Sequence, residues 1–314
     1  MKPIIRIDLC DLGANFGKPD HLLCRVLSER YELRHCDQPD FLIYDVAGQA
    51  HRLHSGVRIR FTCESSLPDY RECDYSIGPL QLDNPRHLYL PGYLPYGTAE
   101  ELLKRNDDPE RILAGKTKFC SFLVSGYHPR KNRNRLEIFS ALNRYRRVDS
   151  GGRWMNNIGG PVPGGPSGKM KFLQPYKFNV AYENVVRPGY ITEKIFQAMA
   201  ARCLPIFWGD ACVKDQFNPR SFLNRADFPS DEALVEKVRE LDQDDAKYLE
   251  FMRQPYLPGD QPSVYFSHER ILKFFDRVFT TPIQPVGRRR KWFHLGRWTL
   301  VKRYHLHPLP WGKP

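Results

Sequence analysis

The chain has 314 residues, 41% of them hydrophobic, which is long for one core and suits two, because single cores stop growing at roughly 250–300 residues. Its eight cysteines form no Cys-x-x-Cys pair and no Cys/His cluster at zinc-finger spacing, which argues against structural zinc and for free thiols in a reducing cytoplasm. Residues 284–314 hold eight Lys and Arg and no acid, leaving residues 1–283 only +4 of the net +12, so the basic pI does not point to nucleic acid. Met1 to Asp8 lack the apolar core of a signal peptide, and no stretch reaches the roughly 18 apolar residues of a membrane span.

In chain order, Ile4 to Leu9 alternates and predicts a first strand, followed by a turn at Gly13 to Gly17 and a helix over Pro19 to Glu29. Tyr31 to His35, Phe41 to Tyr44 and Val57 to Thr62 are further strands. A second set opens near Lys118: Phe119 to Ser125 is a strand, Arg135 to Tyr145 a helix, Phe178 to Tyr182 a strand, Ile195 to Ala201 a helix and Leu204 to Trp208 a strand. Short apolar runs separated by helical or turn segments suggest βαβ units, hence an α/β fold with parallel sheet. Pro91 to Lys116 is charged and poor in apolar residues, which places a boundary near 115 and gives units 1–115 and 116–283 before a basic, aromatic tail over 284–314. The Gly/Pro stretch Gly159 to Gly168 reads equally as an active-site loop and as a plain surface loop.

Parallel sheets bind ligands beyond the carboxyl ends of their strands. After Ser125 comes Gly126 to Arg135, with four cations (Arg130, Lys131, Arg133, Arg135) opening a helix, where free N–H groups and the dipole favour an anion. After Tyr182 come Glu183-Asn184 and then Tyr190-Ile191-Thr192-Glu193-Lys194 at the start of the next helix, with Thr192 as the expected N-cap. Lys194 opposes the helix dipole there, which makes sense if a ligand anion sits between the two. Glu193 alone reads as an ordinary first-turn acid. No Gly-x-x-x-x-Gly-Lys-Ser/Thr motif occurs, and Asp242 and Asp244 read as a solvated helix face. A diphosphate would therefore be neutralised by Arg and Lys, with no obligatory metal, although a divalent ion could stimulate.

Residues 176–209, with Tyr-Lys-Phe, Glu-Asn, Tyr-Ile-Thr-Glu-Lys and Pro-Ile-Phe-Trp-Gly, resemble the signature of the α-1,3/1,4-fucosyltransferases of glycosyltransferase family 10. Phe61-Thr62-Cys63-Glu64-Ser65, Cys73 to Gly78, Asn156-Asn157 and Phe217-Asn218-Pro219 look like further landmarks, so the resemblance covers about residues 55–280. It implies a GT-B architecture, two Rossmann-like domains facing across a cleft, with the acceptor against the first and GDP-fucose in the second. It further implies an inverting transfer of L-fucose to a glycan hydroxyl, α-1,3 or α-1,4 to GlcNAc of an N-acetyllactosamine-type unit. On this resemblance Glu64 is the base, Arg135 and Lys194 meet the diphosphate, Asn184 and Tyr190 hydrogen-bond the donor, and Glu193 lies close to the fucose ring or the ribose, where its carboxylate can also stabilise oxocarbenium-like charge. Arg133 and Arg187 are additional donor contacts. Glu183-Asn184-Val185 departs from the Glu-Asn-Ser or Glu-Asn-Thr of many members, and Cys63 stands where bacterial relatives often have Gly.

The tail interleaves Arg288 to Lys291 with Trp292, Phe293, Trp298, Tyr304 and Trp311, a composition suited to an anionic membrane surface. With the resemblance it implies a cytoplasmic protein held peripherally on the inner face of the membrane. The same fold using another GDP-deoxysugar is the nearest alternative. A basic membrane- or nucleic-acid-binding protein is the alternative of a different class.

Overall fold

The computed structural model describes residues 1–12, 21–104, 107–126, 133–163 and 166–289. In chain order the first part runs β1 (Ile4–Cys10), α1 (Leu22–Ser28), β2 (Glu32–Arg34), β3 (Phe41–Tyr44), β4 (Val57–Phe61), β5 (Tyr75–Gly78) and β6 (His87–Tyr89). Helix α2 (Pro109–Ala114) leads into β7 (Lys118–Phe122), α3 (Arg133–Tyr145), β8 (Val148–Ser150), α4 (Pro166–Leu173), β9 (Tyr176–Tyr182), α5 (Glu193–Ala200), β10 (Leu204–Trp208), α6 (Val213–Gln216) and β11 (Leu223–Asn224). Helices α7 (Asp231–Gln243), α8 (Asp245–Arg253), α9 (His268–Thr280) and α10 (Val286–Arg289) follow.

The strands form two parallel sheets, one of six strands in the order β2-β1-β3-β4-β5-β6 and one of five in the order β11-β10-β9-β7-β8. Their central strands are buried along nearly their whole length, as expected where helices cover both faces. The α/β reading and its two-sheet architecture are therefore borne out. Strands β5, β6, β8 and β11, of two to four residues, are absent from the sequence reading because polar residues interrupt their few apolar ones, whereas the equally short β3, Phe-Leu-Ile-Tyr, is an unbroken apolar run.

The division at the C-terminal end differs from the expected 116–283 and 284–314. Helix α9 leaves the second sheet and packs on the first: Arg30 pairs with Glu269 at 2.8 Å and with Asp276, and the Tyr31 hydroxyl donates to Asp276. The Phe279 ring meets Tyr31 and Phe41 edge-on at 5.1 and 4.6 Å. The chain stays docked beyond the expected start of the tail, since the buried Val286 N–H donates to Asp74 Oδ1 at 2.9 Å. An amphipathic period shows that α9 has an apolar face without showing which sheet will cover it. Of the expected tail, residues 290–314 lie outside the described residues, and with them the aromatic groups and most of the cations on which its membrane reading rests; Arg288 and Arg289 fall in α10. Among the described residues no helix is long and apolar enough to cross a membrane.

One apolar cluster runs from the first sheet to Ala181, Phe207 and α5 of the second, which has a further cluster of its own around Phe122, Phe178 and Ile206. Tyr93 stacks on Phe196 with centroids 6.0 Å apart and meets Phe217 at 5.2 Å, while the buried Gln216 amide links the hydroxyls of Tyr89 (2.8 Å) and Tyr93 (2.9 Å). The segment between β9 and α5 is stitched to the first unit by its backbone: Gln81 N–H donates to Pro188 O, the Tyr89 hydroxyl to Gly189 O and Gly92 N–H to Ile191 O, each at 2.9 Å. This clamp fixes the carboxyl edge of one sheet against that of the other.

Gly189 makes the clamp sterically feasible. Its φ is +84°, and a Cβ there would lie 2.8 Å from Gln81 N and from the Tyr89 ring. Gly189→Ala is expected to destabilise the protein by about 1–3 kcal/mol, the cost of a strained backbone plus a displaced junction. Urea denaturation measures it, and a variant as stable as the parent would contradict the clamp.

Candidate active site

Where β9 ends, Glu183 continues the strand, and its N–H donates to Trp208 O at 2.8 Å, which holds it against the end of β10. Its side chain is fully buried. A carboxylate so placed must find partners, and it finds them in the next turn. It accepts from Thr192 N–H at 2.7 Å, from the Thr192 hydroxyl at 2.8 Å to either oxygen, and from Lys194 Nζ at 2.9 Å. Lys194 Nζ also donates to Thr192 Oγ1 at 2.8 Å. Thr192 occupies the N-cap position of α5 as expected, but its hydroxyl makes no cap bond and turns to Glu183 instead. The anion that the position of Lys194 called for is therefore present in the protein itself.

Arg135, in the first turns of α3, reaches the same edge. Its guanidinium donates to Tyr182 O at 2.6 and 3.1 Å and to Asn184 Oδ1 at 2.6 Å, and it is buried. The lone pairs of a strand-end carbonyl and an amide thus aim this cation, and among the described residues no carboxylate hydrogen-bonds it. Glu193 lies 3.8 Å from Lys194 and 4.0 Å from Lys169 of α4. Burial pushes its carboxyl up, but Lys194 and then Lys169 outweigh that and hold it below its ordinary value. Burial lowers Lys194, yet Glu183 and then Glu193 carry it above its ordinary value despite Arg135. The buried Tyr190 phenol is raised by burial first, and then by the charges of Glu183, Glu64 and Glu193.

That last influence crosses from one sheet to the other. Glu64 stands just beyond β4, exposed, with its N–H donating to Thr62 Oγ1 at 3.1 Å. The turn that carries it is pinned from below by the buried Arg60, which donates to Ser66 O at 3.2 Å and to the Ser66 hydroxyl. Glu64 and Glu193 act on the same two groups, the Cys63 thiol and the Tyr96 phenol, each raised chiefly by burial. Both carboxylates, one from each sheet, therefore lie within electrostatic reach of the same two groups.

The structure brings together Glu64, Arg135, Asn184, Tyr190, Glu193 and Lys194. It does not bring Arg133 to them: that side chain is exposed and pairs with Glu137 at 2.8 Å, one helical turn on. Arg187 is exposed, and its carbonyl accepts from Tyr190 N–H at 3.0 Å. Residues 127–132 of the basic loop lie outside the described residues. Sequence reasoning missed Glu183 as the centre of the cluster, although an acid directly continuing an apolar buried strand is a signal for a paired buried carboxylate. It also missed Lys169, which follows the Gly/Pro stretch on a short helix, and Tyr96. Among the described residues no group of three His, Cys, Asp or Glu is placed to hold a metal ion.

Comparison with known proteins gives two family matches. Residues 113–255 match a family model described as the C-terminal part of glycosyltransferase family 10 (fucosyltransferase), and residues 7–96 one described as the alpha-(1,3)-fucosyltransferase FucT N-terminal domain. The chain is 29% identical over 300 residues to alpha-(1,3)-fucosyltransferase FucT of Helicobacter pylori, covering 81% of this chain and 60% of that protein. It is 32% identical over 164 residues to human 4-galactosyl-N-acetylglucosaminide 3-alpha-L-fucosyltransferase FUT6, covering 51% of this chain and 44% of that protein. It thus spans well under two thirds of the length of these relatives. A crystal structure of an alpha1,3-fucosyltransferase with GDP-fucose superposes with a TM-score of 0.72 at 26% identity, over 91% of this chain and 93% of that one.

Thr192 tests the cluster. Thr192→Val keeps the shape and removes the hydroxyl shared by Glu183 and Lys194, leaving each buried charge one partner short. The expected loss in urea denaturation is about 1–3 kcal/mol, with Thr192→Ser close to the parent. A Val variant of unchanged stability would show that the hydroxyl contributes nothing.

Proposed function

This chain belongs to the fucosyltransferases of glycosyltransferase family 10, and we propose that it moves L-fucose from GDP-fucose, with inversion, to a hydroxyl of a glycan. The acceptor we propose is the 3-hydroxyl of GlcNAc in an N-acetyllactosamine-type unit, which the α-1,3 names of its relatives favour. The observation that carries this reading is the meeting of Arg135, Asn184, Tyr190 and Lys194 at the carboxyl edge of one sheet, opposite Glu64 at the carboxyl edge of the other.

The chemistry follows from this geometry. Glu64, open to the cleft, takes the proton of the acceptor hydroxyl as that oxygen forms its bond to the fucose anomeric carbon. The bond from that carbon to the diphosphate breaks, and its electron pair leaves with GDP. Arg135 and Lys194 receive the charge that develops on the departing diphosphate, the term that is usually largest in such catalysis. Glu193, held in its charged form by its two lysine neighbours, stands where it can offset positive charge on the sugar ring.

Incubation of the protein with a panel of GDP- and UDP-sugars and β-galactosyl-GlcNAc acceptors, read by nucleotide release and product mass, tests the reading. The expected result is transfer from GDP-fucose; transfer only from another GDP-deoxysugar, or none, would contradict it. Glu64→Ala is expected to lower kcat by about 10²–10⁴ while GDP affinity, measured by calorimetry, stays within about threefold. A parallel loss of GDP binding would remove Glu64 from the role of base.

A further inference from the structure

We infer that Glu183 is a positioning residue for the transfer: it never touches the donor, and its buried carboxylate holds the Lys194 ammonium in the place and charge state in which the diphosphate meets it. This rests on the donor reading of the cleft given above. The two members of the pair differ in exposure, which separates their roles. The Glu183 side chain is 0% exposed and that of Lys194 20%, so only the lysine is open to a ligand.

The geometry leaves Lys194 both fixed and free to act. An ammonium has three N–H donors; one goes to Glu183 Oε2 at 2.9 Å and one to Thr192 Oγ1 at 2.8 Å, so the third remains for a phosphate oxygen. Glu183 is itself immobile. Its N–H is tied to Trp208 O, its carboxylate to Thr192 N–H, and a Cβ on Gly209 would come within 3.0 Å of its Cγ, so the backbone of the second strand end packs on its stem. Through Thr192, which bridges to Gly92, the carboxylate is also anchored to the unit that carries Glu64.

The charge balance gives the inference a readout that a merely structural role would lack. The groups facing Lys194 are Glu183 from the end of β9, Glu193 from α5 and Arg135 from α3, with Lys169 of α4 drawing on Glu193. The two carboxylates together outweigh burial and Arg135. With Glu183 made neutral, one carboxylate shared with Lys169 faces burial and Arg135, and the ammonium gives up its proton at lower pH. Contributions to GDP binding that need the charged lysine are present below its pKa and fade as pH rises through it, so they fade earlier in the variant.

The experiment measures GDP affinity by calorimetry and kcat for transfer from GDP-fucose, across pH 6–10, in the full chain and in Glu183→Gln, which keeps an acceptor for the Thr192 N–H. The expected result in the parent is GDP affinity and kcat held to the alkaline end of the range, because its lysine stays charged above its ordinary value, whereas Glu183→Gln loses both with a midpoint inside the range, about one pH unit or more below that of the parent. In the double variant Glu183→Gln/Lys194→Arg the midpoint disappears, because a guanidinium does not titrate in this range. Should Glu183→Gln fail to fold, Glu183→Asp, which keeps the charge, is expected to behave as the parent. No midpoint inside the range in Glu183→Gln, a midpoint in Glu183→Asp, or one that persists in the Lys194→Arg double variant would each overturn the inference. A parent chain that releases no GDP from GDP-fucose would overturn the donor reading, a result distinct from these.

Discussion

The arrangement of the cleft depends on one buried carboxylate. Glu183 ends a strand, caps the turn before α5, and neutralises a lysine that the helix dipole would otherwise repel. Taking two charges out of water costs several kcal/mol per ion before their attraction and hydrogen bonds offset it, and such a pair tolerates the loss of neither partner. Here the cost has a functional counterpart. A lysine held by a carboxylate that cannot move presents its charge to an incoming anion without first having to be ordered, and preorganised charge of this kind is what stabilises a departing diphosphate.

The second constraint is the clamp between the sheets. The proposed reaction, with its base on one sheet and its leaving-group cations on the other, requires their separation to be set by the protein. Two backbone bonds from residues 81 and 92 and one from the Tyr89 hydroxyl to the segment 188–191, the Tyr89–Gln216–Tyr93 network and the return of α9 to the first unit all act on that separation. The proposed base is held in the same way as the lysine: buried Arg60 fixes the turn from which the exposed Glu64 projects. At both edges, then, a buried charged group supports one that meets solvent.

Much of this was legible in the sequence, and the limits have physical causes. The apolar runs of β1, β3, β4, β9 and β10 announce parallel strands because both their faces are covered, and the rule that ligands gather beyond strand ends then points to Arg135 and Lys194, whereas Glu64 is singled out only by the family resemblance. The arginines within Val57–Phe61 do not announce themselves, since a cation in a buried strand is recognisable only once its carbonyl partners, such as those of Arg52, His54 and Ser66, are known. The odd position of Lys194 correctly signals a missing anion. Whether that anion is a ligand or a side chain eleven residues upstream is a question of tertiary contact. Arg133 and Arg135 look alike on paper; being two residues apart on a helix sends one outward to Glu137 and the other inward to Tyr182 O. The destination of α9 is decided by the shape of the first sheet, the charge of Arg30 and the hydroxyl of Tyr31, which local sequence does not encode.

The central claim is that the donor diphosphate binds between Arg135 and Lys194 while Glu183 keeps its hold on Thr192 and Lys194. A crystal structure of the protein with GDP tests it directly. The account predicts diphosphate oxygens within hydrogen-bond distance of both the Arg135 guanidinium and Lys194 Nζ, with the Glu183 carboxylate still on Thr192 N–H. A diphosphate bound away from these two cations, or Glu183 swung out to make room for it, would contradict the account.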